Sequence, residues 1–379
     1  MSSAVAELGE APEAKRVASR RSRWLELLAV GGGTFVLWPL LWLLREGLGL
    51  DDAELAVGFV FFHAAHFLND PHFVVSYLLF YRDVPDAIRG RGVSRAQHVR
   101  WLVAGVLVPA VLVGWAAHAL ATRDAQSIGW MAQLMYLTVG WHYAKQGFGA
   151  LVVVLARGGV RLTSLERMAA LVHVYAAWAF AWASPASAAG EFEERGVVYW
   201  APSRPGWLEV GTGVVFAVST LVLLVVLAHK AWRERGLPWA ELACFFVTIW
   251  IWTVFTSVDP LLRYAIPALH SVQYLYFVGL VRRNEARAAS DPESFGPSVA
   301  SRVAWLAVSA IGLGWLVFHG APDALDALTV ARSGGESAMG DLGPTPFFAV
   351  AYVLVNVHHF FMDFALWRHD SWTAKYLRG

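Results

Sequence analysis

The chain has 379 residues, of which 57% are hydrophobic and only 16% charged. A soluble domain carries about a quarter charged residues, so the composition argues against an ordinary soluble protein and for a membrane one. The formal net charge of +1 gives no footing for a nucleic-acid partner, and a single cysteine, Cys244, excludes an internal disulfide framework and any multi-cysteine metal site. The 19 tryptophans suit side chains held at bilayer interfaces.

In chain order, residues 1–23 are polar and end in the basic cluster Lys15, Arg16, Arg20, Arg21 and Arg23. They read as a disordered cytoplasmic tail, and 24–379 as a single transmembrane helical domain. The apolar run after the tail is too long for a secretory signal and no small-residue cleavage site follows it. A spanning helix needs about 20 mostly apolar residues. Windows of that kind fall at 24–45, 54–81, 99–121, 127–156, 164–187, 207–231, 238–257, 261–281, 301–320 and 345–367. The expected fold is all-α: a polytopic bundle of about ten spanning helices with short loops, the longest a polar stretch at 321–344.

Lys and Arg set the orientation. They crowd the tail, the loop after the second window (Arg82, Arg89, Arg91, Arg95, Arg100), the loops holding Arg157, Arg161 and Arg167, then Lys230, Arg233 and Arg235, then Arg282, Arg283 and Arg287, and the C-terminal Arg368, Lys375 and Arg378. The alternate loops are poor in Lys and Arg and include acidic stretches, as at Asp51, Asp52 and Glu54 or at Glu191, Glu193 and Glu194. Both termini are therefore expected in the cytoplasm, and the chain in the inner (plasma) membrane as a multi-pass protein.

Ionisable side chains at membrane depth are costly and mark function. The second window contains His63, His66, Asn69, Asp70, Pro71 and His72; His63 and His66 share a helix face, and Pro71 predicts a kink that turns His72 toward the same site. The fourth contains His142, Tyr143 and Lys145, the fifth His173. The eighth pairs His270 with Gln273 three residues on and adds Tyr274; the tenth holds Asn356, His358, His359 and Asp363, with His359 and Asp363 four apart on one face. Counted from the basic loops, His66, His72, His142, His270 and His359 fall in one slab about 10 Å thick at ~1.5 Å per residue. His98, His118, His229, His319 and His369 lie outside that slab and read as surface or interface residues.

Neutral imidazole suits iron, zinc and copper, whereas magnesium and calcium prefer oxygen. The metal-ligand candidates are therefore His63, His66, His72, Asp70, His142, His173, His270, His358, His359 and Asp363, enough for one or two ions. Asn69, Gln273 and Asn356 are candidates for orienting what binds there, and Tyr143, Lys145 and Tyr274 for moving protons.

The elements His63-x-x-His66, His142, His270 and His358-His359 resemble those of the membrane-bound histidine-box enzymes, the fatty acid desaturases and hydroxylases. They also resemble the bacterial carotenoid-cleaving dioxygenases, in which membrane helices supply four histidines to one iron. The resemblance implies iron, or another transition metal, with dioxygen and a lipidic or other apolar substrate arriving from the bilayer. No flavin or nicotinamide fingerprint is evident, so reducing equivalents, where needed, would come from a separate electron donor. Two other readings stay open: a proton-coupled transporter with a buried His/Asp relay, and a haem protein with two histidines on the iron.

Overall fold

The computed structural model describes residues 23–90, 92–184, 189–255, 259–289, 298–332 and 342–377. Apart from Arg23, the expected tail therefore lies outside the described residues. The chain enters as α1 (Arg23–Gly32) and bends by 54° into α2 (Thr34–Leu48). Gly31 makes the bend: its φ of 143° suits glycine alone, and a Cβ there would stand 2.9 Å from the Cys244 carbonyl oxygen.

Helix α3 (Leu50–Ala65) and helix α4 (Asn69–Ile88) divide the window 54–81 at a turn over residues 66–68. The sequence predicts a kink at Pro71. The break instead comes just before α4, and Pro71 sits in the first turn of α4, where a missing N–H costs nothing. Next come α5 (Arg95–Thr122) and α6 (Ala125–Arg157), started by the side chains of Ser94 and Asp124, which accept from Gln97 N and Ser127 N. Helix α7 (Ser164–Ala183) opens on a reciprocal Thr163–Glu166 capping box.

The region around 190–201 is expected to be a loop and is a β-hairpin. Strands β1 (Gly190–Glu194) and β2 (Val197–Ala201) join through Arg195 and Gly196, both at positive φ, as a tight two-residue turn requires. Val197, Tyr199 and Ala201 are buried while Val198 and Trp200 are exposed, the period of a one-sided strand. The chain continues through α8 (Gly206–Glu234), α9 (Trp239–Val254), α10 (Leu262–Ala289), α11 (Ala300–Thr329), α12 (Pro346–Leu366) and α13 (Trp372–Leu377). Part of the polar stretch expected as a loop after residue 320 is thus helical.

Over its described residues the protein is all-α apart from the hairpin. Among the described residues, four helices are long and apolar enough to cross a bilayer (α5, α8, α11 and α12), or five if the bent pair α1–α2 is one span. These mark a membrane protein. Outward-facing Val210, Val214, Val218, Leu221 and Val225 on α8 would form an apolar stripe too extensive for a water-exposed surface. Fewer helices pass this test than the ten windows suggest, for physical reasons. The second window is broken at 66–68, and α9 is short. Helices α6, α7 and α10 interrupt their apolar character with His142 and Lys145, with Glu166 and His173, and with Arg263 and His270.

Helix α12 lies inside the bundle. Its Val353, Val357 and Phe360 pack with Leu112 of α5, Met131 and Met135 of α6 and Tyr199 of the hairpin; its Met362, Ala365 and Leu366 pack with Val75, Leu79 and Phe80 of α4. Ion pairs tie together helix ends rich in Arg: Arg157 to Glu26 at 2.7 Å, Arg82 to Glu285 at 2.9 Å, Lys230 to Glu166 at 3.4 Å, and Arg23 to Glu241. This frame holds α4, α6, α10 and α12 side by side.

Candidate metal centre

Each of those four helices contributes one histidine to a common point. His72 of α4, His142 of α6, His270 of α10 and His359 of α12 each offer a ring nitrogen, and the four nitrogens all lie within 4.8 Å of one another. The Nε2 atoms of His142 and His270 are 3.1 Å apart. None of the four residues is more than 4% exposed, so water does not solvate the rings.

Their hydrogen bonding is incomplete. His72 Nδ1 faces the Asn69 carbonyl oxygen at 3.3 Å and the Ser271 hydroxyl at 3.4 Å, which orients the ring, but its Nε2 has no partner. His270 Nδ1, both nitrogens of His359 and Asp363 Oδ2 are likewise buried and unpartnered. Each such atom costs about 1–3 kcal/mol, and so many at one point call for a shared ligand.

The donor set fits a transition-metal ion. Metal–imidazole bonds are about 2.0–2.1 Å, so donors on one ion stand about 3 Å apart when adjacent and about 4 Å when opposite. The His142–His270 distance of 3.1 Å already matches, and the other nitrogens lie within 4.8 Å. Asp363 stands beside the group: its Oδ2 is 3.3 Å from His359 Nε2 and 3.8 Å from His142 Nε2, without hydrogen-bond alignment. Its Oδ1 accepts from the Tyr274 hydroxyl at 2.8 Å, and that hydroxyl meets Ser76 Oγ at 2.5 Å and accepts from Trp367 Nε1 at 3.2 Å. Tyr274, Ser76 and Trp367 therefore hold the carboxylate in place.

The other sequence candidates divide. The Tyr143 ring lies tilted against the His270 ring with centroids 4.3 Å apart, and Asn356 lies in the wall of the neighbouring cavity with its amide donating to the Tyr352 carbonyl. Asn69 accepts from Ser271 at 3.2 Å. Gln273 faces away: it donates to the Val30 carbonyl at 2.7 Å and accepts from Gln146 at 2.8 Å, which binds α1 to the bundle. Lys145 Nζ lies over the rings of Phe148 and Tyr175 on another face of α6.

His358, about 100° round α12 from His359, bonds Tyr77 and the Ala104 carbonyl at 2.9 Å each. His173 accepts from Trp250 Nε1 at 3.2 Å and stacks on Phe216. His63 is exposed, with ring contacts to Phe59 and Phe62. His66 and Asp70 form a separate group with His319, a residue the sequence reading assigns to the surface.

A cavity of about 300 Å³ lies beside the group and reaches two of its four histidines. His72 and His270 stand in its wall with Phe73, Val139, Ile266 and Phe360, and its polar wall includes Tyr136 and Arg263. Tyr136 donates to Glu194 of β1, so the hairpin closes over this end of the bundle.

Fold and site together define a helical membrane protein with a buried four-histidine group able to hold a metal ion. Compared with known proteins, the chain matches no protein-family model, no curated protein and no solved structure.

Proposed function

We propose that this chain is a membrane oxidoreductase in which His72, His142, His270 and His359 hold one iron ion beside a pocket for an apolar substrate. The observation that carries the reading is the coincidence of two features. Four buried imidazoles converge, three of them (His72, His270 and His359) with an unpartnered nitrogen, and a largely apolar, aromatic-walled cavity reaches His72 and His270.

Iron in such a site supplies the means to activate dioxygen for hydroxylating, desaturating or cleaving a lipidic chain. The protein's own residues do the rest. Phe73, Val139, Ile266 and Phe360 receive apolar substrate and keep water out. The Tyr274 hydroxyl holds its proton against Asp363 Oδ1 and leaves Oδ2 facing His359. Asn69 and Ser271 fix the tautomer of His72 so that Nε2 carries the lone pair. The ten-span arrangement, with both termini in the cytoplasm and substrate entering from the bilayer of the plasma membrane, belongs to the same reading. Hydroxylation or desaturation in this scheme takes its electrons from a separate donor; cleavage by a dioxygenase needs none.

The packing argues against a haem. Two axial histidines need a porphyrin between them, and with four nitrogens inside 4.8 Å the remaining two rings occupy that space. The test is metal analysis of detergent-purified protein. About one iron per chain at the four-histidine group, lost in His359→Ala, supports the proposal. A metal-free protein that moves protons or solute across vesicles would replace it with the carrier reading.

A further inference from the structure

A second group of possible ligands lies on the flank of the same bundle. We propose that His66, Asp70 and His319 form a second, separate site for a divalent transition-metal ion, with two imidazoles and one carboxylate on one side and an open face on the other.

The geometry rests on three local features, two breaks in helical regularity and one close helix approach. First, the turn at 66–68 ends α3 and starts α4, which sets His66 Nδ1 3.4 Å from Asp70 Oδ2. Second, α11 approaches α4 at Gly314, where a Cβ would stand 3.0 Å from backbone and side-chain carbons of Asp70, so a side chain there would push the two helices a few tenths of an ångström apart. Third, a wide π-helical turn spans Leu316–Gly320 and carries His319, whose Nε2 comes 3.2 Å from Asp70 Oδ2. Such turns recur at functional sites because they re-aim a side chain.

The three donor atoms lie within 4.8 Å of one another, and the His66 and His319 rings are 4.5 Å apart between centroids. His66 Nδ1 is buried without a hydrogen bond. Donors about 2.0–2.1 Å from one ion stand roughly 3 Å apart, close to the 3.2 and 3.4 Å found. Two imidazoles select a first-row transition ion over magnesium or calcium, and two histidines with one carboxylate on one face leave positions open. The side chains of His66 and His319 are 25% and 18% exposed, so those positions face outward from the bundle. A bound ion would tie the α3–α4 junction to α11.

The proposal does not depend on the enzyme reading, and one experiment separates them. Full-length protein in detergent, stripped with a chelator, is titrated with cobalt(II) and followed by its visible absorption. Wild type is expected to take two equivalents. His319→Ala should lose one, weakened more than about 100-fold, while keeping the other; His359→Ala should show the reverse. Asp70→Asn, which keeps size and polarity, gives the same result if His319→Ala folds poorly. A wild type that binds one equivalent, lost in His319→Ala, keeps this site and removes the four-histidine one. A cobalt titration identical in wild type, His319→Ala and Asp70→Asn overturns the proposal and leaves Asp70 hydrogen-bonded to His319 with His66 beside it.

Discussion

The two faces of α12 carry adjacent histidines into different surroundings. His358 turns toward α4 and α5, where Tyr77 and the Ala104 carbonyl satisfy its ring nitrogens. His359 turns toward α4, α6 and α10, is 0% exposed, and has no hydrogen bond on either nitrogen. Both are buried, so burial does not distinguish a structural histidine from a ligand. The distinction lies in whether the nitrogens are already partnered. By the same criterion His173, bonded to Trp250, groups with His358, while His72 and His270 group with His359.

The comparison breaks most visibly if the two classes respond alike to removal. His359→Ala and His270→Ala, far apart in sequence, should each weaken metal binding by more than about 100-fold, read as metal per chain after gel filtration. A smaller effect is expected one step out. Asp363→Asn and Tyr274→Phe should leave the ion bound but lower affinity by about 10–100-fold, since they disturb the groups that position His359. His358→Ala should leave metal content at the wild-type value and cost about 1–3 kcal/mol in denaturant stability, because the Tyr77 hydroxyl loses a buried partner. Smallest of all, His63→Ala on the exposed face of α3 should change stability by no more than about 0.5 kcal/mol and metal content not at all.

Much of this was legible in the sequence. Charge-poor helical windows announce the all-α fold, and the spacing of His359 and Asp363 announces their shared face. His142 and His270 stand out with the polar neighbours Lys145 and Gln273 inside otherwise apolar runs. What a straight-helix reading misses are the interruptions. Carried through 66–68 without a break, the helical phase groups His63 with His66 and leaves His72 to be rescued by a kink at Pro71. The break instead resets the phase, sends His72 to the centre and leaves His66 for Asp70 and His319. His319 gives no signal of its own, since its direction depends on a local π turn. The hairpin did leave a trace, the β-prone run Val197–Ala201 after the turn-forming Arg195-Gly196, overshadowed by the acidic residues before it.

The most direct measurement is X-ray absorption at the edge of the metal bound by the His319→Ala variant, which keeps the four-histidine group and removes its neighbour. The account predicts one tightly held ion per chain with about four imidazole nitrogens at about 2.0–2.1 Å. A stoichiometric ion surrounded by oxygen ligands with no more than one imidazole, or no ion at all, would contradict it.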